Sequence, residues 1–114
     1  MNSTGSINAL LGGVSVVRRI DFECEPRTGR CTLQLELVDD DLRPTQRRVL
    51  RADGVTKWSV AELGGGVTQL CDLHASDVGE LQHDRVRYLL EERERGALRL
   101  SCAHLSVNNA PLDP

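Results

Sequence analysis

Hydrophobic and polar residues alternate along most of this chain. Val14, Val16, Ile20, Phe22 and Cys24 fall on one side and Ser15, Arg19, Asp21 and Glu23 on the other, with Arg18 the exception. That is the period-two signature of a half-buried strand. The segment Glu25-Pro26-Arg27-Thr28-Gly29-Arg30 is a turn signal, after which Cys31, Leu33, Leu35 and Leu37 alternate with Thr32, Gln34 and Glu36. The two runs predict a hairpin. Asp39-Asp40-Asp41 and Arg43-Pro44-Thr45 form a polar connection in which the proline blocks regular pairing. Strand segments are expected from Arg47 to Ala52 and from Val55 to Leu63, with Asp53-Gly54 turning or bulging between them and Thr56, Trp58 and Val60 sharing a face. Gly64-Gly65-Gly66 reverses the chain, and a further strand is expected from Val67 to Ala75.

Two segments carry mixed signals. Between Ser76 and Gly96, a capping serine, acidic residues Asp77 and Glu80 and the stop at Gly96 suit one long helix. The alternation of Val86, Tyr88 and Leu90 with Arg85, Arg87 and Glu91 suits a strand instead, so a short helix over Asp77 to Gln82 and a strand over Arg85 to Glu92 are preferred. In the last run, Ala97 to Val107, the apolar phase moves from Leu98, Leu100 and Cys102 to Ala103, Leu105 and Val107, which predicts a bulge or a pair buried on both faces. The lead, residues 1–13, is rich in Ser, Asn and Gly and reads as flexible, with one helical turn at Ile7 to Leu11; residues 108–114 read as a coil tail. The expected fold is mainly β, with α+β as the alternative. It is one domain over residues 14–107, a small antiparallel sheet or sandwich of about six to seven strands with one short helix.

Composition narrows the partners. At 114 residues there is room for one core. Phe22, Trp58 and Tyr88 are its only aromatic residues, so Val and Leu must fill most of that core, with Trp58 expected to be mostly buried. A net charge of -3 without a basic stripe argues against nucleic acid. Lys57 is the single lysine, and the arginines offer planar donor forks to carboxylates. Met1 to Gly13 lacks the pattern of a secretory signal, and no window approaches the length of a membrane span. A cytoplasmic protein is expected, in which Cys24, Cys31, Cys71 and Cys102 stay reduced and pack as small apolar residues. A Cys24–Cys31 bond across the first hairpin is conceivable only after oxidation.

Candidate chemistry is sparse. Cys71-x-x-His74 and Cys102-x-His104 supply the ligand types of a zinc site. Both pairs lie in expected strands, however, where residues three apart face opposite sides. A thiol nucleophile at Cys102 with His104 would need an orienting third group and a feature that lowers the thiol pKa, and neither is evident. The triple glycine is followed by strand-like sequence rather than a phosphate-binding helix, and Asp39-Asp40-Asp41 lacks the ligand spacing of a calcium loop. No cofactor is expected.

The runs Val55-Thr56-x-Trp58, Leu70-x-Asp72-Leu73, Tyr88-x-Leu90-x-Glu92-x-Glu94, Leu98-x-Leu100-x-Cys102 and Leu105-x-Val107 cover about the last 60 residues. In their strand pattern they resemble small bacterial β-rich proteins of the immunity type found at toxin loci. The resemblance implies a non-catalytic protein-interaction domain and carries over no catalytic residue. Asp39, Asp40 and Asp41 are the candidate partner-binding residues, placed to steer encounter with a basic protein surface. A homodimer formed through an uncovered sheet edge is a further expectation, and a small metal- or thiol-dependent protein using Cys71, His74, Cys102 and His104 is the alternative function.

Overall fold

The computed structural model describes residues 4–40, 42–61, 69–79 and 87–110. One helix, α1 (Thr4–Leu11), precedes eight strands: β1 (Val16–Cys24), β2 (Cys31–Val38), β3 (Arg47–Asp53), β4 (Lys57–Val60), β5 (Leu73–Asp77), β6 (Tyr88–Glu92), β7 (Leu98–Cys102) and β8 (His104–Asn109). They form two antiparallel sheets, ordered β1-β2-β3-β8 and β4-β7-β6-β5. The fold is mainly β, as the alternation predicts.

The two sheets share a core. Leu33, Leu35, Leu37, Leu50, Leu105 and Val107 come from the first sheet, and Leu73, Ala75, Leu90, Leu98, Leu100 and Cys102 from the second. Seven of these leucines, Leu33, Leu35, Leu37, Leu50, Leu90, Leu98 and Leu100, are wholly buried. Aliphatic side chains fill the centre, and the aromatic residues lie at its margin.

The chain passes between the sheets at one corner. β3 ends at Asp53 in the first sheet and β4 begins at Lys57 in the second, while β7 and β8 are separated by Ala103 alone. The Ala103 amide donates to the Asp53 and Gly54 carbonyls at 3.1 and 3.3 Å, so the two crossings are tied together. The phase shift after Cys102 is therefore a change of sheet, which turns one expected strand into two and raises the strand number above the sequence estimate. Gly54 sits at φ +68°, and a Cβ there would lie 2.9 Å from the Ala103 Cβ, so both backbone conformation and space require glycine.

Other differences have local causes. Arg18, the break in the first alternation, is a β-bulge, with the register shifting between Val17 and Arg19. Residues 4–11 form a full helix in place of a flexible lead with one turn, because Ile7 and Leu11 recur at helical spacing and enter the core. Of the strand expected over Val67 to Ala75, residues 67 and 68 lie outside the described residues; after them come a single bridge at Gln69 and a turn at Cys71-Asp72 before β5 starts at Leu73. Asp77 ends β5 instead of starting a helix, Val78 and Gly79 are not helical, and residues 80–82 of the expected short helix lie outside the described residues. Of the strand expected over Arg85 to Glu92, Tyr88–Glu92 is described as β6. Gly64-Gly65-Gly66 also lies outside the described residues.

Candidate interaction surface

The two flanks of the sandwich are finished differently. On one flank α1 packs against β5 and β8. Its Asn8 side chain substitutes for a missing strand: the Ala75 amide donates to Asn8 Oδ1 at 2.8 Å, and Asn8 Nδ2 donates to the Ala75 carbonyl at 3.0 Å. The outward hydrogen-bonding groups of Ala75, at the middle of an edge strand, are thus satisfied from the helix.

On the other flank lie the edge strands β1 and β4. The start of β1 is covered, since the Leu70 amide donates to the Ser15 carbonyl at 2.7 Å and Val16 bridges Gln69. From Arg19 to Cys24, β1 pairs only with β2 among the described residues. The Cys31 carbonyl accepts from Val55 on the β3 side, and Glu25 bonds Arg30 across the turn, which makes Cys24↔Cys31 a non-hydrogen-bonded pair. Alternation along the ladder then directs the main-chain groups of Ile20, Phe22 and Cys24 away from β2, toward the side that no described residue pairs.

Phe22 bridges the flank to the other sheet. Its ring centroid is 5.1 Å from that of Trp58 on β4, tilted by 39°, yet Phe22 remains 43 % exposed. Trp58 is partly buried, packed against the core from a short edge strand with the Phe22 ring beside it. Around this apolar pair β1 carries charges of both signs, Arg18 and Arg19 followed by Asp21 and Glu23, with Arg19 Nε 2.8 Å from Asp21 Oδ2.

Cys24 and Cys31 close the tip of the same hairpin as a disulfide, with Cα atoms 4.0 Å apart. This corrects the expectation of four reduced cysteines, and Cys24 is exposed instead of packed. Register explains the pairing: the two residues are direct partners in a non-hydrogen-bonded pair, where side chains approach most closely.

The predicted acidic site is partly occupied by its own loop. The Asp39 carboxylate accepts from the Thr45 and Gln46 amides at 2.8 and 3.0 Å and from the Thr45 hydroxyl. That hydroxyl, and then the amides, lower its pKa to about 2. Asp40 accepts from the Leu42 and Arg43 amides at 2.8 and 3.2 Å, an Asx-type turn, and Asp41 lies outside the described residues. The turn lifts Leu42 to 86 % exposure. Sequence reasoning missed both Leu42 and Phe22 as surface residues, since an isolated leucine in a polar loop carries little signal and Phe22 occupies an inward-facing position of its strand.

Cys71, His74, Cys102 and His104 do not gather. Cys71 is exposed before β5 and His74 lies on β5 opposite Glu91. Cys102 is buried on β7 opposite Tyr88, at the far end of the β5–β6 ladder, and His104 belongs to the other sheet opposite Asp53. Burial, and then the Asp53 charge, push the Cys102 thiol up to about 12, the opposite of what a nucleophile needs. Among the described residues there is no group of three or more His, Cys, Asp or Glu able to hold a metal ion. Among the described residues one carboxylate is buried, that of Glu92, and it accepts from the Asp72, Glu94, Arg95 and Ala97 amides. It organises the β6–β7 turn.

None of the described helices is long and apolar enough to cross a membrane. No family model, curated protein or solved structure matches the chain.

Proposed function

We propose that this chain is a non-catalytic protein-interaction domain of the immunity type that its C-terminal half resembles, and that its contact surface is the β1/β4 flank. One observation carries the reading: α1 packs on one flank of the sandwich and Asn8 pairs the Ala75 backbone there, while on the other flank β1 from Arg19 to Cys24 has no outer partner among the described residues and Phe22 is 43 % exposed beside Trp58. An extended segment can be added to such an edge through main-chain hydrogen bonds, with the exposed ring as an anchor. The mixed charges beside it suit a protein surface better than a phosphate backbone. Asp40, whose turn holds out Leu42, and Asp41 remain candidate steering charges; Asp39 serves chiefly to shape the loop. The bonded Cys24–Cys31 pair moves the expected compartment from the cytoplasm to an oxidising one.

A photocrosslinking residue placed at Phe22, with one at His74 on the outer face of the second sheet as control, tests the surface. The expected result in the native host is covalent capture of one defined protein species from position 22 and none from position 74. Capture only from position 74, or of nucleic acid alone, refutes the assignment.

A further inference from the structure

Resting on the reading of the β1 flank as a protein contact, we propose that its occupant is a second copy of this chain. The two β1 strands pair antiparallel about a two-fold axis at Asp21, joining two four-stranded sheets into one. The strand itself selects this arrangement. Residues 20 and 22 face the side of β1 that no described residue pairs, so a two-fold ladder must place hydrogen-bonding positions opposite one another, which leaves three registers near the strand centre.

Centring on Phe22 would set Asp21 against the second copy's Glu23 twice, a like-charge pairing. Centring on Ile20 would draw the Arg18 bulge into the ladder and leave a regular run only from Arg19 to Asp21. Centring on Asp21 uses the unbulged run Arg19 to Glu23. Ile20 then exchanges main-chain hydrogen bonds with the second copy's Phe22, and the reverse. On the inner face the same residues form apolar cross-strand pairs beside Trp58; on the outer face Arg19 meets the second copy's Glu23, again twice. The one unfavourable contact is Asp21 against its own copy. Arg19, already 2.8 Å from Asp21 in each chain, offsets it. The basic first half and acidic second half of β1 thus make this edge complementary to itself when antiparallel.

Sedimentation equilibrium of the full chain, with amide exchange read at Ile20 and Phe22, tests the proposal. The wild type is expected to dimerise reversibly, with protection of both amides rising with protein concentration. Arg19→Glu and Glu23→Arg should each weaken the dimer by about tenfold or more, and the double exchange should restore it. Asp21→Asn should tighten it by about threefold, an effect that a misfolded variant cannot imitate. A chain that stays monomeric at millimolar concentration, or a dimer indifferent to all of these exchanges, overturns the second copy as occupant. If position 22 then still captures a different protein, the contact surface stands without self-pairing; if it captures none, both fail.

Discussion

Glu92 shows what one buried carboxylate does here. Burial alone would raise its pKa, but the amides of Arg95, Glu94, Ala97 and Asp72 outweigh that and hold it below its ordinary 4.5. Because the folded value is the lower one, its stabilisation is complete above the unfolded value and lost as pH falls through the folded one. The melting temperature should therefore drop on acidification below about 4.5 more steeply in the wild type than in Glu92→Gln. That variant should be less stable at neutral pH by about 1–3 kcal/mol, measured by urea unfolding. Gly54 is the second sensitive residue. Its positive φ and the 2.9 Å approach to Ala103 make Gly54→Ala costly, by about 2–4 kcal/mol in the same measurement. Thiol labelling of the native, non-reduced protein should modify Cys71 alone, and unfolding should add Cys102, since one is exposed and the other buried with its thiol pushed up to about 12.

At the scale of elements, α1 is small but its removal should be felt beyond its own length. Asn8→Ala leaves the Ala75 amide and carbonyl without their side-chain partners. The expected loss is about 1–3 kcal/mol, with faster amide exchange at Ala75 than anywhere on β7. Strands were the most legible elements. The β1–β2 hairpin follows from its alternation, and even the Arg18 exception points to the bulge. The helix was less so: its apolar positions are few, and what holds it is β5, far along the chain, which no local pattern reveals. The disulfide was legible as a juxtaposition of Cys24 and Cys31, while the inference of a reducing compartment argued against the bond.

At the scale of the molecule, the exposed flank and the core should respond differently to mutation. Phe22→Ser is expected to cost less than about 1 kcal/mol and to shift Trp58 fluorescence toward that of hydrated indole, because Phe22 is 43 % exposed and covers the indole. Leu35→Ala, at a wholly buried position, should cost about 3 kcal/mol or more in urea unfolding. This flank was invisible in sequence, where Ile20 and Phe22 look like core; only the strand orders place β1 at the edge of one sheet and the four-residue β4 at the edge of the other. The contact between Asn8 and Ala75 also bears on biosynthesis. These residues are 67 positions apart, so at ribosomal speed the helix waits about 3–13 s for the strand it must cover. During that interval the nascent chain carries Ile7 and Leu11 without their core, while the β1–β2 hairpin can already close behind them. Assembly on the ribosome should thus begin at the hairpin and finish with α1, and a chaperone that shields this helix early would act on the segment that docks last.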